Sequence, residues 1–199
     1  MTSKFEHSQR DSLHNCADER LIFSYAKGEM RAFDVLYSRH KQPLFNYLRR
    51  QSHNDVISEE LSHDVWLAVI KQATLFEVKA SFKTWLYTIA HNRLVDYWRK
   101  AAVSNQVLFD DLTAQQNALN VDSNLEFSIQ DRSLELLEIE QLLSVLTVLS
   151  TEQMTALLLK IEGFSQAEIA EITQVKQETV KSRLRYATKR LRLSMEAAK

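Results

Sequence analysis

Along most of this chain apolar residues recur at intervals of three and four, the spacing of one face of an α-helix. Leu21, Ile22, Tyr25 and Ala26 predict a short first helix that ends near Gly28. Ala32, Phe33, Leu36 and Tyr37 open a second. Pro43 is expected to kink or restart it before Leu44, Phe45, Tyr47 and Leu48 resume the pattern. Residues 52–57, SHNDVI, read as a turn. Ser58-Glu59-Glu60 then starts a third helix, whose anionic first turn suits the helix dipole. Its apolar positions are Leu61, Val65, Trp66, Val69, Ile70 and Ala73. Residues 76–81, FEVKAS, break the pattern, and a fourth helix is predicted from about Phe82 to Lys100. Phe82, Trp85, Leu86, Ile89 and Ala90 form its buried face. Thr84, Tyr87, Thr88, His91, Val95 and Trp98 fall on the opposite side of the wheel, so Tyr87, His91 and Trp98 group away from the core stripe.

Residues 101–131 lose this periodicity and scatter Asn, Gln, Asp and Ser, the composition of a flexible linker. A second domain begins near Arg132, with one helix through Leu134, Leu137, Leu142, Leu143, Leu146 and Leu149 and another over residues 152–161, EQMTALLLKI. Residues 165–192 then read as two short helices around a tight turn at Gln174-Val175. Ser165 and Glu168 have the S-x-x-E spacing of a capping box. Val180, Leu184, Ala187 and Leu191 give the last helix one narrow apolar stripe. Lys176, Lys181, Arg183, Arg185, Lys189, Arg190 and Arg192 cover the rest, opposed only by Glu178. A solvated basic face on an ordinary core helix is the plain explanation. The capping box, the small Ala170 where a neighbouring helix must approach, and the length of the cation run favour a helix-turn-helix that enters a major groove.

Composition narrows the class. Two glycines and one proline in 199 residues compare with about 14 and 10 at average usage, so an all-α fold of two small helical domains joined by a flexible acidic linker is expected. The expected boundaries are a tail over 1–17, domains over 18–100 and 132–199, and the linker between them. No run approaches the ~18 apolar residues of a membrane span, and the polar start MTSKFEHSQRDSLHN has no signal-peptide core. A cytoplasmic protein without membrane insertion is expected. Cys16, the single cysteine, can form no internal disulfide and has no cysteine partner for a zinc site. The net charge of −1 argues against a protein that coats DNA indiscriminately. Charge is divided instead: residues 101–131 hold Asp110, Asp111, Asp122, Glu126 and Asp131 with no Lys or Arg, ahead of the basic end.

Two blocks carry a family resemblance. SFKTWLYTIAHNRLVDYWRK at 81–100 resembles the F-x-x-W-L-x-x-I-A-x-N-x-x-x-D-x-x-R pattern of bacterial RNA polymerase sigma factors, through Phe82, Trp85, Leu86, Ile89, Ala90, Asn92, Asp96 and Arg99. LLLKIEGFSQAEIAEITQVKQETVKSRLRYATKRLR at 157–192 resembles the same family's fourth conserved region, notably in EGFS and TVKSRL. KGEMRAFDVLYSRH at 27–40 and EELSHDVWLAVI at 59–70 add support, and the short connector resembles the extracytoplasmic-function (ECF) group. His63 stands where family members commonly have Gln, and Tyr186 where Arg is common.

The resemblance implies a non-enzymatic subunit that joins core RNA polymerase, reads two promoter elements and helps to open the duplex, with no cofactor and no metal. The helix from Glu59 to Leu67 would dock on the polymerase clamp, through Glu59, Glu60, His63, Asp64 and Trp66. Residues 76–100 would read the −10 element. Asn92 offers a donor and an acceptor to a base edge, Tyr87, His91 and Trp98 offer stacking faces, and Lys83, Arg93, Arg99 and Lys100 offer charges for phosphates. Residues 176–192 would read the −35 duplex through Thr179, Lys181, Ser182 and Arg183, then Arg185 and Tyr186. Double- and single-stranded promoter DNA are the implied ligands, and an anti-sigma factor is a further candidate partner. Two other classes compete. One is a helix-turn-helix regulator that acts without replacing sigma. The other is a metal phosphohydrolase, suggested by His63-Asp64. Neighbouring residues on a helix point about 100° apart, however, which makes a shared metal awkward.

Overall fold

The computed structural model describes residues 13–111 and 149–197. Among these residues the chain is all helical: α1 Asp18–Ala26, α2 Met30–Ser52, α3 Asp55–Gln72, α4 Phe82–Asp111, α5 Thr151–Ile161, α6 Gln166–Thr173 and α7 Gln177–Ala197, with a 3₁₀ turn at Ala73–Leu75. None of these helices is long and apolar enough to cross a membrane. The remainder of the expected linker, and the helix expected from Leu134 to Leu149 except for Leu149 itself, lie outside the described residues.

Helix α1 closes where expected, Gly28 taking a positive φ of 101°. Three boundaries differ from expectation. α2 runs through Pro43 without restarting. The proline removes one helical hydrogen bond, whereas burial of Val35 and Leu36 before it and Leu44, Tyr47 and Leu48 after it fixes both halves on the same core. α3 begins at Asp55 rather than Ser58, because the Asn54 side chain accepts from the Ile57 amide at 3.1 Å and caps the helix earlier. α4 continues to Asp111, eleven residues into the expected linker, where no Gly or Pro stops it.

The first four helices form one bundle. α2 packs between α1 and α3, and α4 lies against α3 and α2. Leu21 and Ile22, Leu36, Leu44 and Leu48, Val65 and Val69, and Phe82, Leu86, Ala90 and Leu94 meet in its core. The start of α4 is fixed twice. Ser81 Oγ accepts from the Thr84 amide at 3.1 Å, and Glu19 on α1 accepts from the Phe82 amide at 2.9 Å, a carboxylate at a helix N-terminus. Beside it, burial alone would raise the Asp18 carboxyl, but bonds to His40 (2.6 Å) and Arg39 hold it below its ordinary value. α1 thereby ties α2 and α4 together.

Helices α5 to α7 form the second group. The Ser150–Gln153 and Ser165–Glu168 capping boxes open α5 and α6. Gln174 takes the left-handed conformation (φ 54°) that ends α6 and turns the chain into α7. Leu159, Ile169, Ile172, Val180 and Ala187 are fully buried between the three helices. The two groups touch, α4 against α6 and α2 against α5, and a single apolar cluster spans both. Phe82 sits at the base of the first group, against Phe76, Trp85 and His40. Phe82→Ala is expected to lower stability by about 3–5 kcal/mol, measured by urea unfolding. A loss below about 1 kcal/mol would show that α4 is held by something other than this cluster.

Candidate nucleic-acid interface

Helix α7 presents its cations as the stripe dictates. With Val180 and Ala187 fully buried, Thr179, Lys181, Arg185, Tyr186, Lys189, Arg190 and Arg192 are exposed. The Arg185 guanidinium lies over the Tyr186 ring at 5.2 Å, a pair that offers charge and a stacking face together. Lys181 stands 3.9 Å from Glu178 one turn back, and Arg192 stands 3.4 Å from Glu196 one turn on. Both pairs are solvent-exposed, so they are weak and exchange readily for phosphate. Ser182 and Arg183 are half-buried. Arg183 faces back toward α4 in a cleft of about 380 Å³ lined also by His91, Trp98, Arg99, Glu152 and Thr155.

Helix α4 carries the second set. Asn92, Arg93, Arg99 and Lys100 are exposed on it. Asn92 therefore has its amide open to solvent, with Arg93 beside it and the other two cations about two turns further on. His91 and Trp98 are half-buried in the shared cleft. Burial, reinforced by the Arg183 charge, lowers the His91 imidazole to about 4, and its Nδ1 is buried without a hydrogen-bond partner among the described residues. The ring is therefore held neutral at that site.

Tyr87 corrects the helical-wheel expectation. It is fully buried, not grouped with an exposed His91 and Trp98. Its ring packs between Tyr47 at 5.2 Å and Phe164 at 4.9 Å, and its hydroxyl donates to Glu162 at 3.3 Å. Burial and then the Glu162 charge push the phenol far above its ordinary value, so it stays protonated. Thr84 on the same side is buried as well. The wheel identified the side of α4 that turns from its own bundle. It could not identify α6 and the turn before it as the cover for that side.

On α3, Glu59, Glu60, His63 and Asp64 are exposed, whereas Trp66 is only 5% exposed and is not a surface anchor. Its ring meets Phe33 and Tyr37 edge-on, at 5.8 and 5.0 Å. The apolar residue beside the acidic positions is Leu67, 51% exposed. The spacing holds the signal for it: 60, 63, 64 and 67 share one helix face, and 66 does not. Also absent from the sequence reading were Gln51, Thr155, Glu162 and Phe164, which join the two groups through side chains from distant parts of the chain.

Comparison with known proteins places these surfaces in a family. The sigma-70 region 2 model matches residues 36–103, which include α3 and most of the described α4 surface, and the sigma-70 region 4 model matches residues 139–191, which include the helix-turn-helix. The ECF RNA polymerase sigma factor SigM of Mycobacterium tuberculosis is 26% identical over 179 residues, which cover 89% of this chain and 84% of that protein. The ECF RNA polymerase sigma factor SigK of a Mycobacterium species (strain KMS) is 28% identical over 167 residues, 83% of each chain. CnrH, solved in complex with the cytosolic domain of CnrY, shares the fold with a TM-score of 0.66 at 23% identity, covering 92% of this chain and all of that one. RpoE of Bartonella quintana, solved with the anti-sigma factor NepR, gives 0.64 at 24% identity, covering 84% and 98%. With both conserved regions present in order, and with ECF relatives across most of its length, the chain belongs to the ECF group of the sigma-70 family of RNA polymerase sigma factors.

Proposed function

We infer that this chain is the promoter-reading subunit of an RNA polymerase: it binds core enzyme and directs initiation by recognising −35 duplex and opening and recognising −10 DNA. One observation carries the reading. Two DNA-suited helix faces of different character, an exposed Asn92 with neighbouring cations on α4 and an exposed cation set on α7, lie within the two sigma regions in family order. A helix-turn-helix regulator that acts without replacing sigma has no need of the first.

The domain boundaries follow this reading, with a polymerase- and −10-binding domain over 18–100 and a −35-binding domain over 132–199. On α3 the polymerase-docking face is Glu59, Glu60, His63 and Asp64, with Leu67 in place of Trp66 as the apolar contact. Acidic groups choose a basic partner, and an exposed leucine beside them adds buried area. On α4 the base-reading residue is Asn92, with His91 and Trp98 as stacking faces and Lys83, Arg93, Arg99 and Lys100 on phosphates. Tyr87, fully buried against Glu162 and Phe164, is left out of this set. On α7 the first turns face base edges through Thr179, Lys181, Ser182 and Arg183, followed by Arg185 and Tyr186. Arg192, about three turns further on, supplies charge. Bartonella RpoE pairs with an anti-sigma factor, and a partner of that class, with a cytoplasmic location, is proposed here too.

Mapping of transcript starts made by core polymerase on genomic fragments tests the function. New starts are expected on adding this chain, and none, with a control sigma active, would refute it. Co-elution with core polymerase separates it from the regulator alternative. Asn92→Ala is expected to leave polymerase binding and the −35 footprint intact while the −10 bubble fails to open, read by permanganate reactivity of unpaired thymines. Normal melting would make Asn92 idle. In a promoter library, Lys181→Ala or Ser182→Ala should flatten preference among −35 variants by about 1–3 kcal/mol for the contacted base. Arg192→Ala should weaken all variants alike and lower the salt slope by about one. One shared profile for all three would mean that the reading surface of α7 lies elsewhere.

A further inference from the structure

The loop over residues 76–81 runs from the 3₁₀ turn to the start of α4, and its middle and its ends differ in burial. Glu77, Val78 and Lys79 are exposed, whereas Phe76 before them and Phe82 after them are buried. Among the described residues, little inside the loop fixes its middle. The Lys79 amide donates to the Glu77 carbonyl at 2.8 Å, and the Lys79–Glu77 ion pair at 2.5 Å is solvent-exposed and therefore weak. The bearing of the loop is set at its ends, and both ends meet α1. The Phe23 ring packs on Phe76 at 5.6 Å, and the half-buried Glu19 carboxylate accepts from the Phe82 amide at 2.9 Å. Positions 19 and 23 are one turn apart, so one face of α1 takes both contacts. Across the base of the loop Phe76 closes on Phe82 at 6.2 Å and on Trp85 at 5.2 Å. The neighbouring Asp18 bonds to Arg39 and His40 of α2, and the His40 ring lies 5.4 Å from that of Phe82. α1 is thereby anchored to α2 independently of the loop it holds.

We propose that Glu19 and Phe23 of α1 are positioning residues for −10 reading: without touching DNA, they hold the two ends of the 76–81 loop and so fix Val78 and Lys79 at the N-terminal end of the helix that carries Asn92. The proposal rests on the assignment of residues 76–100 to −10 reading. The chemistry of the contacts suits a support. A carboxylate on an amide at a helix N-terminus makes a directional, charge-assisted bond and also favours the helix dipole. The ring pair at the other end adds a second fixed point. Contact with a base tolerates only small errors in position, and an exposed loop meets that need only when its ends are held. Val78 then offers an apolar contact, and Lys79 offers a charge whose pairing with Glu77 exchanges readily for phosphate. Removal of the Glu19 carboxylate leaves Phe82, Leu86 and Ala90 in the core, so the domain keeps its fold while the loop loses its bearing.

Base preference tests this. In a −10 promoter library transcribed with core polymerase, Glu19→Ala should reduce discrimination among −10 variants about tenfold, while −35 preference and affinity for core polymerase change less than about twofold. Glu19→Gln keeps an acceptor for the Phe82 amide and should recover most of the discrimination. Phe23→Leu keeps an apolar side chain but loses the ring contact, and should disturb the same −10 positions. Amide hydrogen exchange in the free chain supplies a readout without DNA: residues 76–82 should exchange faster in Glu19→Ala, with α2 and α3 unchanged. An unchanged −10 profile in Glu19→Ala or Phe23→Leu, a glutamine variant as poor as the alanine one, or faster exchange throughout α1 to α4 overturns the proposal. The paired change Val78→Ala and Lys79→Ala, at the exposed middle of the loop, separates the support from the reading beneath it. If that pair shifts the −10 profile and Glu19→Ala does not, only the positioning role falls. If neither shifts it, the assignment of residues 76–81 to −10 reading falls as well.

Discussion

The attachment of α4 is the constraint on which the rest of this structure depends. Phe82, Leu86, Ala90 and Leu94 sink into the α1–α3 bundle and fix the rotation of the helix about its axis. Glu19 and Ser81 cap its first turn and fix its start. Once both are set, the side chains of α4 up to Ala102 have a fixed bearing. Asn92 and Arg93 must face outward, and Thr84 and Tyr87 must face whatever lies on the far side. A reader of unpaired bases needs such rigidity, because hydrogen bonds to a base edge tolerate only small errors in position. Propensity alone does not supply it. Burial of that stripe does.

The second group obeys the same logic with a smaller core. Two capping boxes and one left-handed residue set the path of three short helices, and the narrow stripe of α7 leaves most of its circumference for cations. A helix so basic repels itself. The pairs of Lys181 with Glu178 and of Arg192 with Glu196 are exposed, while fully buried Val180 and Ala187 hold the helix on α5 and α6. Stability and exposed charge are thus assigned to separate residues, and a substitution can alter one with little effect on the other.

Periodicity made the helices and their core faces legible, because each bundle helix has one apolar stripe with a local origin. The Ser165–Glu168 box and the Gln174 turn were equally readable, being set by residues three or four apart. Where the reading failed, the deciding partner was remote or on the wrong face. Pro43 does not restart α2, because buried residues on both sides outweigh one lost hydrogen bond. Trp66 is large and aromatic, as an anchor would be, yet Phe33 and Tyr37 enclose it and Leu67 is the residue that shows. Tyr87 lies off the core stripe of α4, and that side is closed by Glu162 and Phe164, 75 or more residues away. Contacts between domains leave no periodic trace.

Contact between α4 and −10 DNA is the central proposal. A photoreactive amino acid at Arg93, exposed beside Asn92, tests this with least disturbance, because nothing in the core depends on that side chain. In an open promoter complex with core polymerase, irradiation should join position 93 to the non-template strand within the −10 element. Cross-links only to polymerase, or only to duplex near −35, would contradict it.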